Sequence, residues 1–342
     1  MMVACACFRW IAAGALVTAG VACSMPAGPP LVPPSQTEAV PRVAPARGAT
    51  KHLYVIVTTS TQFVAEYPIR HGIPDSTPDR TVSGFTAPNA LTVDSTGHLF
   101  VLDLKTIKEF APGANGNAKP IREIRVPSFL NIDTLAVDKN GYAYVGQKGH
   151  VYVYAPGAHG RAKPVAVIKP DDYPSGLAID SSGDLYALGS TEEQDPSQLS
   201  YQMHASVYSA APQLQRIRAF CSYEEGHSGI DYGVALDGAN HAFTTHTYFI
   251  NSYPSGEIDI FPADAHTCPR GASGTITTTN PTLREPVYLA VDAPYLYVAD
   301  VFYGYGGAVF TLRTSGSPQQ PLSVLYLENN QPHNIFGIAL GP

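Results

Sequence analysis

The sequence predicts an all-β protein: a six-bladed β-propeller closed by its own N-terminal strand. Three observations carry this expectation. A unit of apolar strand, Asp, turn and apolar strand recurs along the chain. A second half-unit follows most copies. The two ends of the repeating region complete one another. Composition agrees, with 44% hydrophobic and 14% charged residues, a core-forming balance. Thirty Gly, thirty Pro and twenty Tyr suit many short strands joined by turns.

The chain opens with an apolar run, Trp10–Ala22, behind Arg9. It is short for a bilayer span, which needs roughly 20 residues, and it fits a signal-peptide core over 1–22. Gly20-Val21-Ala22-Cys23 resembles the lipobox of bacterial lipoproteins, which implies lipidation of Cys23. That family usually carries Leu where Gly20 stands. Ordinary cleavage after Ala22 is the alternative, and both readings place the protein outside the cytoplasm. Residues 24–50 are rich in proline, which fixes φ and removes a donor, so 23–50 reads as an extended tether. The expected domain is 51–342.

The repeat appears as LTVDSTGHLFV (Leu91–Val101), LAVDKNGYAYV (Leu135–Val145), LAIDSSGDLYA (Leu177–Ala187) and VALDGANHAFT (Val234–Thr244). A fifth copy, LAVDAPYLYV (Leu289–Val298), is one residue shorter. The sixth is split between IALGP (Ile338–Pro342) and KHLYVIV (Lys51–Val57). Such a ring hides its sheet edges. Asp94, Asp138 and Asp180 each precede a glycine by three positions, at Gly97, Gly141 and Gly183. Asp opens a type I turn and Gly takes the left-handed conformation that follows, so these aspartates read as turn residues. Asn240 replaces Gly in the fourth copy. The second half-units, such as IKEFAPGANGNAKPIREI (Ile107–Ile124) and VYVYAPGAHGRAKPVAVI (Val151–Ile168), supply the third and outer strands. The Pro-Gly-Ala-Asn-Gly run joins two strands and lacks the Lys-Ser/Thr of a phosphate loop.

The elements PNALTVDSTGHLFV (Pro88–Val101) and APGANGNAKPI (Ala111–Ile121) resemble NHL-type propeller repeats, found in bacterial lipoproteins. The likeness extends over nearly all of 51–342. It implies the fold and leaves function to the sites the fold carries. A more distant resemblance, to gluconolactonase-like propellers, implies an axial divalent metal held by Glu, Asn and Asp, and with it a lactone hydrolase or lyase activity.

Functional expectations follow from the loops. The second-to-third connections are short in the first two blades, near Lys105 and Lys148, and lengthen in the next three: Gly189–Ala205, Thr245–Gly256 and Asp300–Gly307. Neighbouring insertions should form one raised aromatic wall of Tyr201, Tyr248, Phe249, Tyr253, Phe302, Tyr303 and Tyr305. The connection Cys221–Tyr232 adds Tyr223, Glu224, Glu225 and His227. Tyrosines give rigid amphipathic contact area, so the wall is expected to bind a protein, peptide or glycan; packing beneath the loops is the competing reading. Five residues before each turn aspartate stand the axial positions Asn89, Asp133, Ser175, Tyr232 and Val287, with Phe336 in the sixth copy. Calcium wants six to eight oxygens, so Asn89 and Asp133 alone are a fallback metal site and no cofactor is expected.

His241 and His246 are five apart and read as surface or turn residues; neither HExxH nor GxSxG occurs. Cys221 and Cys268 are expected to pair, as an exported compartment permits. Net charge is −7 with no basic stripe, which argues against nucleic acid. The expectation is a monomeric binding module rather than an enzyme, periplasmic or at the cell surface, touching membrane only through a lipid anchor.

Overall fold

The computed structural model describes residues 51–127, 134–195, 198–225, 229–230, 232–250, 253–266, 272–301, 307–327 and 334–342. The expectations for Cys23, Asp133, His227, Cys268, Phe302, Tyr303 and Tyr305 fall outside these residues. The described residues are all-β, in six antiparallel sheets arranged as a propeller.

Blade 1 comprises Pro88–Val93, Leu99–Asp103, Thr106–Phe110 and Arg122–Arg125, from the axis outward. Blade 2 comprises Thr134–Val137, Ala143–Gln147, His150–Tyr154 and Ala166–Ile168. Blade 3 comprises Pro174–Ile179, Leu185–Asp195, Gln198–Tyr208 and Arg216–Glu225. Blade 4 runs from Gly229–Ile230 and Val234–Leu236 through Ala242–Ile250 and Tyr253–Phe261 to Gly274–Ile276. Blade 5 comprises Pro286–Asp292, Tyr295–Asp300, Ala308–Arg313 and Ser323–Tyr326. Blade 6 takes Asn334–Gly341 as its inner strand, His52–Thr58 as its second, Gln62–Arg70 as its third and Arg80–Ser83 as its outer. The register between the inner and second strands runs from His52↔Gly341 to Thr58↔Asn334. The split sixth repeat therefore closes the ring as the sequence predicts.

Six hydrophobic clusters account for the closure, one at each junction between neighbouring blades. The junction of blades 6 and 1 buries Ile56, Val64, Leu91, Val101 and Phe110; that of blades 1 and 2 buries Phe100, Leu102, Val145 and Tyr154. Strand alternation sends successive side chains to opposite neighbours, so each blade is apolar on both faces.

The turn aspartates do what their spacing predicts. Asp94 Oδ1 accepts the N–H groups of Thr96 and His98, both at 2.9 Å. Asp138, Asp180 and Asp237 repeat this with residues two and four positions on. Gly97, Gly141, Gly183 and Asn240 all have positive φ, as the turn requires.

Two features depart from expectation. The long connections of blades 3 and 4 are not irregular loops but regular hairpins. Blade 3's second and third strands pair without a break from Leu185↔Tyr208 to Asp195↔Gln198. Blade 4's pair from Ala242↔Phe261 to Ile250↔Tyr253. The segment from Cys221 to Glu225, read as a connection, continues blade 3's outer strand along this hairpin. Once a ladder is nucleated in the blade body, each further residue gains its bonds from a neighbour already in place, so polar residues prolong it. The second departure is His246, which is buried in blade 4's second strand rather than lying at the surface. His241 does sit at its turn, with Nδ1 2.9 Å from Asp237 Oδ2.

Candidate functional site

The inner strands all enter from one face, which also carries the second-to-third hairpins. The connections into the inner strands are held by buried acceptors that sequence reading missed. In blade 1, Asp103 Oδ1 accepts the N–H groups of Thr86 at 2.9 Å and Ala87 at 2.7 Å, just ahead of Pro88. Lys108 Nζ lies 2.7 Å from its other oxygen. In blade 5 the fully buried Asp300 accepts from Arg284 at 2.6 Å and Glu285 at 3.2 Å, just ahead of Pro286. In blade 4, Thr245 Oγ1 accepts from Tyr232 and Gly233. The available signal was an Asp ending an apolar second strand, fifteen residues after Pro88 and fourteen after Pro286. These carboxylates clamp backbone and are committed to that task.

The axis forms a narrow funnel. Its floor is a ring of Leu91, Leu135, Leu177, Val234, Leu289 and Ile338, one residue per blade. Above it stand Ala90, Thr134, Gly176, Gly233, Tyr288 and Gly337. Ser175 and Tyr232 add hydroxyls at the mouth. The free volume is about 80 Å³, room for a few waters, whereas ligand pockets run to several hundred Å³. Burial, with the neighbouring Tyr232, pushes the Tyr288 hydroxyl far above the ordinary tyrosine range. Burial and the Asp300 charge raise the nearby Glu285 carboxyl. At the level expected to hold a metal, the described residues are Asn89, Ser175, Tyr232, Val287 and Phe336. These supply one amide and two hydroxyls beside two apolar side chains, fewer oxygens than the six to eight that calcium takes, and Asp133, the other half of the fallback pair, lies outside the described residues. Among the described residues no three His, Cys, Asp or Glu are grouped to hold a metal.

The hairpins of blades 3 and 4 are polar where the other blades are apolar. Blade 4's second strand reads Ala242-Phe243-Thr244-Thr245-His246-Thr247-Tyr248, against Leu99-Phe100-Val101-Leu102 in blade 1. On its surface toward blade 3, Thr244 lies opposite Asp259, His246 opposite Glu257 and Tyr248 opposite Ser255. Thr244, His246 and Asp259 are buried. The His246 and Tyr248 rings stack with centroids 5.7 Å apart. Thr275 Oγ1 donates to Asp259 at 2.9 Å. Tyr248 is half-buried, and Tyr253, at the hairpin tip, is 65% exposed. Tyr201 lies in blade 3's third strand, opposite Glu224, and Tyr223 in its outer strand. Phe249 lies in blade 4's second strand, opposite Pro254. On the connection into blade 3, Tyr173 is 67% exposed and passes over Gly149 in blade 2's turn, a contact that no sequence pattern signals.

Blade 3 has further ties. His204 Nδ1 hydrogen-bonds the buried Asp172 carboxylate. Ser206 Oγ reaches Asp171 at 3.4 Å and Tyr208 Oη reaches the Lys169 carbonyl at 3.4 Å. Together these bind the strap Lys169–Asp172 to the third strand. Cys221, opposite His204, is disulfide-bonded, which removes it as a thiol nucleophile.

No protein-family profile and no curated protein sequence matches the chain. Among solved structures it is similar to a protein of unknown function from Bacteroides caccae, at 12% identity over 85% of this chain and 98% of that one, with a TM-score of 0.49. It is similar to apo AztD from Citrobacter koseri, at 11% identity over 85% and 97%, with a TM-score of 0.43. It is also similar to the PQQ-bound aldose sugar dehydrogenase of Streptomyces coelicolor, at 14% identity over 84% and 89%, with a TM-score of 0.44. None of these likenesses bears on ligand or chemistry.

Proposed function

We propose that the protein is a non-catalytic binding module, exported and tethered outside the cytoplasm, whose contact face is the raised pair of hairpins on blades 3 and 4. The leader-like segment 1–22, Cys23 and the proline-rich 24–50 support the export and tether. One observation carries the binding reading. Second and third strands that are 5 residues long in blades 1 and 2 reach 11 in blade 3 and 9 in blade 4. Length beyond the blade body adds little to the core, and it ends in an exposed tyrosine at Tyr253. A rigid scaffold that lifts aromatic contact area above one face is suited to holding a partner.

The same face favours a ligand with flat apolar surfaces and hydroxyl partners, which a glycan supplies. The test is calorimetric titration of the full chain with a panel of soluble cello-, chito- and malto-oligosaccharides. At least one should bind, and the paired variant Tyr248→Ala, Tyr253→Ala should weaken it by about tenfold, the scale of one lost aromatic contact. Absence of binding across the panel, or an undiminished affinity in the variant, overturns the reading.

A further inference from the structure

The third-to-outer connections do more than join strands. In blade 1 the turn at Gly116 reaches sideways and pairs with blade 6's outer strand: Gly116 N–H donates to the Thr81 carbonyl at 2.7 Å, and Ser83 N–H to the Gly116 carbonyl at 2.9 Å. In blade 2, Gly160 does the same to blade 1, through the Glu123 carbonyl at 2.8 Å and the Arg125 N–H at 2.7 Å. In blade 5, Gln319 covers the chain after blade 4's outer strand, through the Thr277 carbonyl at 2.9 Å and the Thr279 N–H at 2.8 Å. Three rims are thus covered by a short parallel segment bonded to residues two apart.

Among the described residues, blade 2's rim is not covered in this way. Register makes Val167 and Lys169 the counterparts of Glu123 and Arg125, but no described residue bonds to the Val167 carbonyl and the Lys169 N–H as Gly160 does to their counterparts. The reason is the length of the next connection. Blades 1 and 2 span 11 residues there, 111–121 and 155–165, while blade 3 spans 7, 209–215, without the Pro-Gly-Ala-x-Gly run. The bare strand presents Val165, 59% exposed, and Val167, 51% exposed. Arg161, Lys163 and Lys169 are exposed in the same alternating row, and among the described residues none is in an ion pair. Among the described residues blade 5's outer strand also lacks such a clamp, but Leu322–Tyr326 carries no cation.

We propose that the rim of blade 2 is a docking edge for an extended acidic segment of a partner protein. The segment adds in parallel as Gly160 does next door, donating an N–H to the Val167 carbonyl and accepting from the Lys169 N–H. Its apolar residues lie beside Val165 and Val167 and its carboxylates beside Lys163 and Lys169. Charge selects this occupant. A second copy of the same strand would set cation against cation, and lysine and proline at a strand's ends discourage self-pairing, whereas an anionic strand gains at both ends.

The test is fluorescence anisotropy of a labelled peptide Asp-Thr-Val-Thr-Val-Thr-Asp, whose alternate positions match Lys163, Val165, Val167 and Lys169, titrated with the full chain, beside a peptide with lysine in place of aspartate. The acidic peptide should bind and the basic one should not. The paired variant Lys163→Glu, Lys169→Glu should lose the acidic peptide by about tenfold or more and gain the basic one, a swap that misfolding could not produce. Lys119→Glu, on the covered rim of blade 1, should change nothing. Backbone N-methylation of the acidic peptide should abolish binding. No binding, equal binding of both peptides, or no swap in the paired variant overturns the proposal. Because no residue of the blade 3 and 4 hairpins takes part, either proposal can fail while the other stands.

Discussion

Blades 1 and 2 differ from blades 3 and 4 in almost everything except the path of the chain. The first pair has short strands, apolar on both faces, and rims that are hydrogen-bonded to the next connection in blade 1 and, among the described residues, uncovered in blade 2. The second pair has strands up to 11 residues long, a buried row of threonine and histidine, a disulfide at Cys221, and an aspartate–histidine tie at Asp172 and His204. Both pairs close the same ring through the same kind of apolar junction. The ring is therefore closed by what the blades share, and function is to be sought in what they do not.

That contrast can be broken by measurement. The largest effect is expected in the shared part: Leu102→Ala, fully buried between blades 1 and 2, should cost about 3–4 kcal/mol in denaturant unfolding. Next, Cys221→Ser should cost about 3 kcal/mol, with hydrogen exchange loosened in blades 3 and 4 ahead of blades 1 and 2. Asp300→Ala should cost about 2 kcal/mol, because two backbone N–H groups lose their acceptor beside a buried strand entrance. Replacing Thr191–Gln202 with a two-residue Asn-Gly turn, which leaves Ser190 opposite Met203, should cost less than about 1 kcal/mol. If shortening that hairpin destabilises the fold as much as Leu102→Ala does, the division between scaffold and contact face fails.

The smallest effect is one of pH. Burial would raise the Asp94 carboxyl, but hydrogen bonds from the Thr96 hydroxyl and the His98 and Thr96 N–H groups outweigh it and hold it below the usual range. A lowered folded pKa means stability that is present above the unfolded value, near 4, and lost as pH falls through the folded one. Asp94→Ala should flatten that acid limb by less than about 1 kcal/mol, the turn being part-exposed.

The ring was legible in the sequence because it is written six times. Period-two alternation, Asp three before Gly, and a terminal pair that completes one unit all express local rules that tertiary context did not override. The hairpins were not legible as strands because Thr191-Glu192-Glu193-Gln194-Asp195 is polar and reads as loop by propensity. Its order comes from its cross-strand partners Gln198–Gln202, themselves paired in part with Tyr223–Glu225, which a window along one strand does not see. His246 was misplaced for the same reason, since a histidine in a Thr-Thr-His-Thr run carries no sign of the blade packed over it. The carboxylates of Asp103 and Asp300 were within reach, because each ends an apolar second strand at a nearly fixed distance from the proline that opens its blade. The rim clamps were half visible: the glycine-rich runs stood out, but their partners lie in the preceding blade.

On the proposed reading, contact is made on the hairpins of blades 3 and 4 and not at the axis. The most direct measurement is amide hydrogen exchange of the full chain with and without the tightest oligosaccharide of the panel. Slowed exchange is expected in Gln198–Tyr208, Ala242–Ile250 and Tyr253–Phe261, with the axial strands Pro88–Val93 and Pro174–Ile179 unchanged. Protection confined to those axial strands, with the hairpins unaltered, would contradict it and move the site to the funnel above the leucine ring.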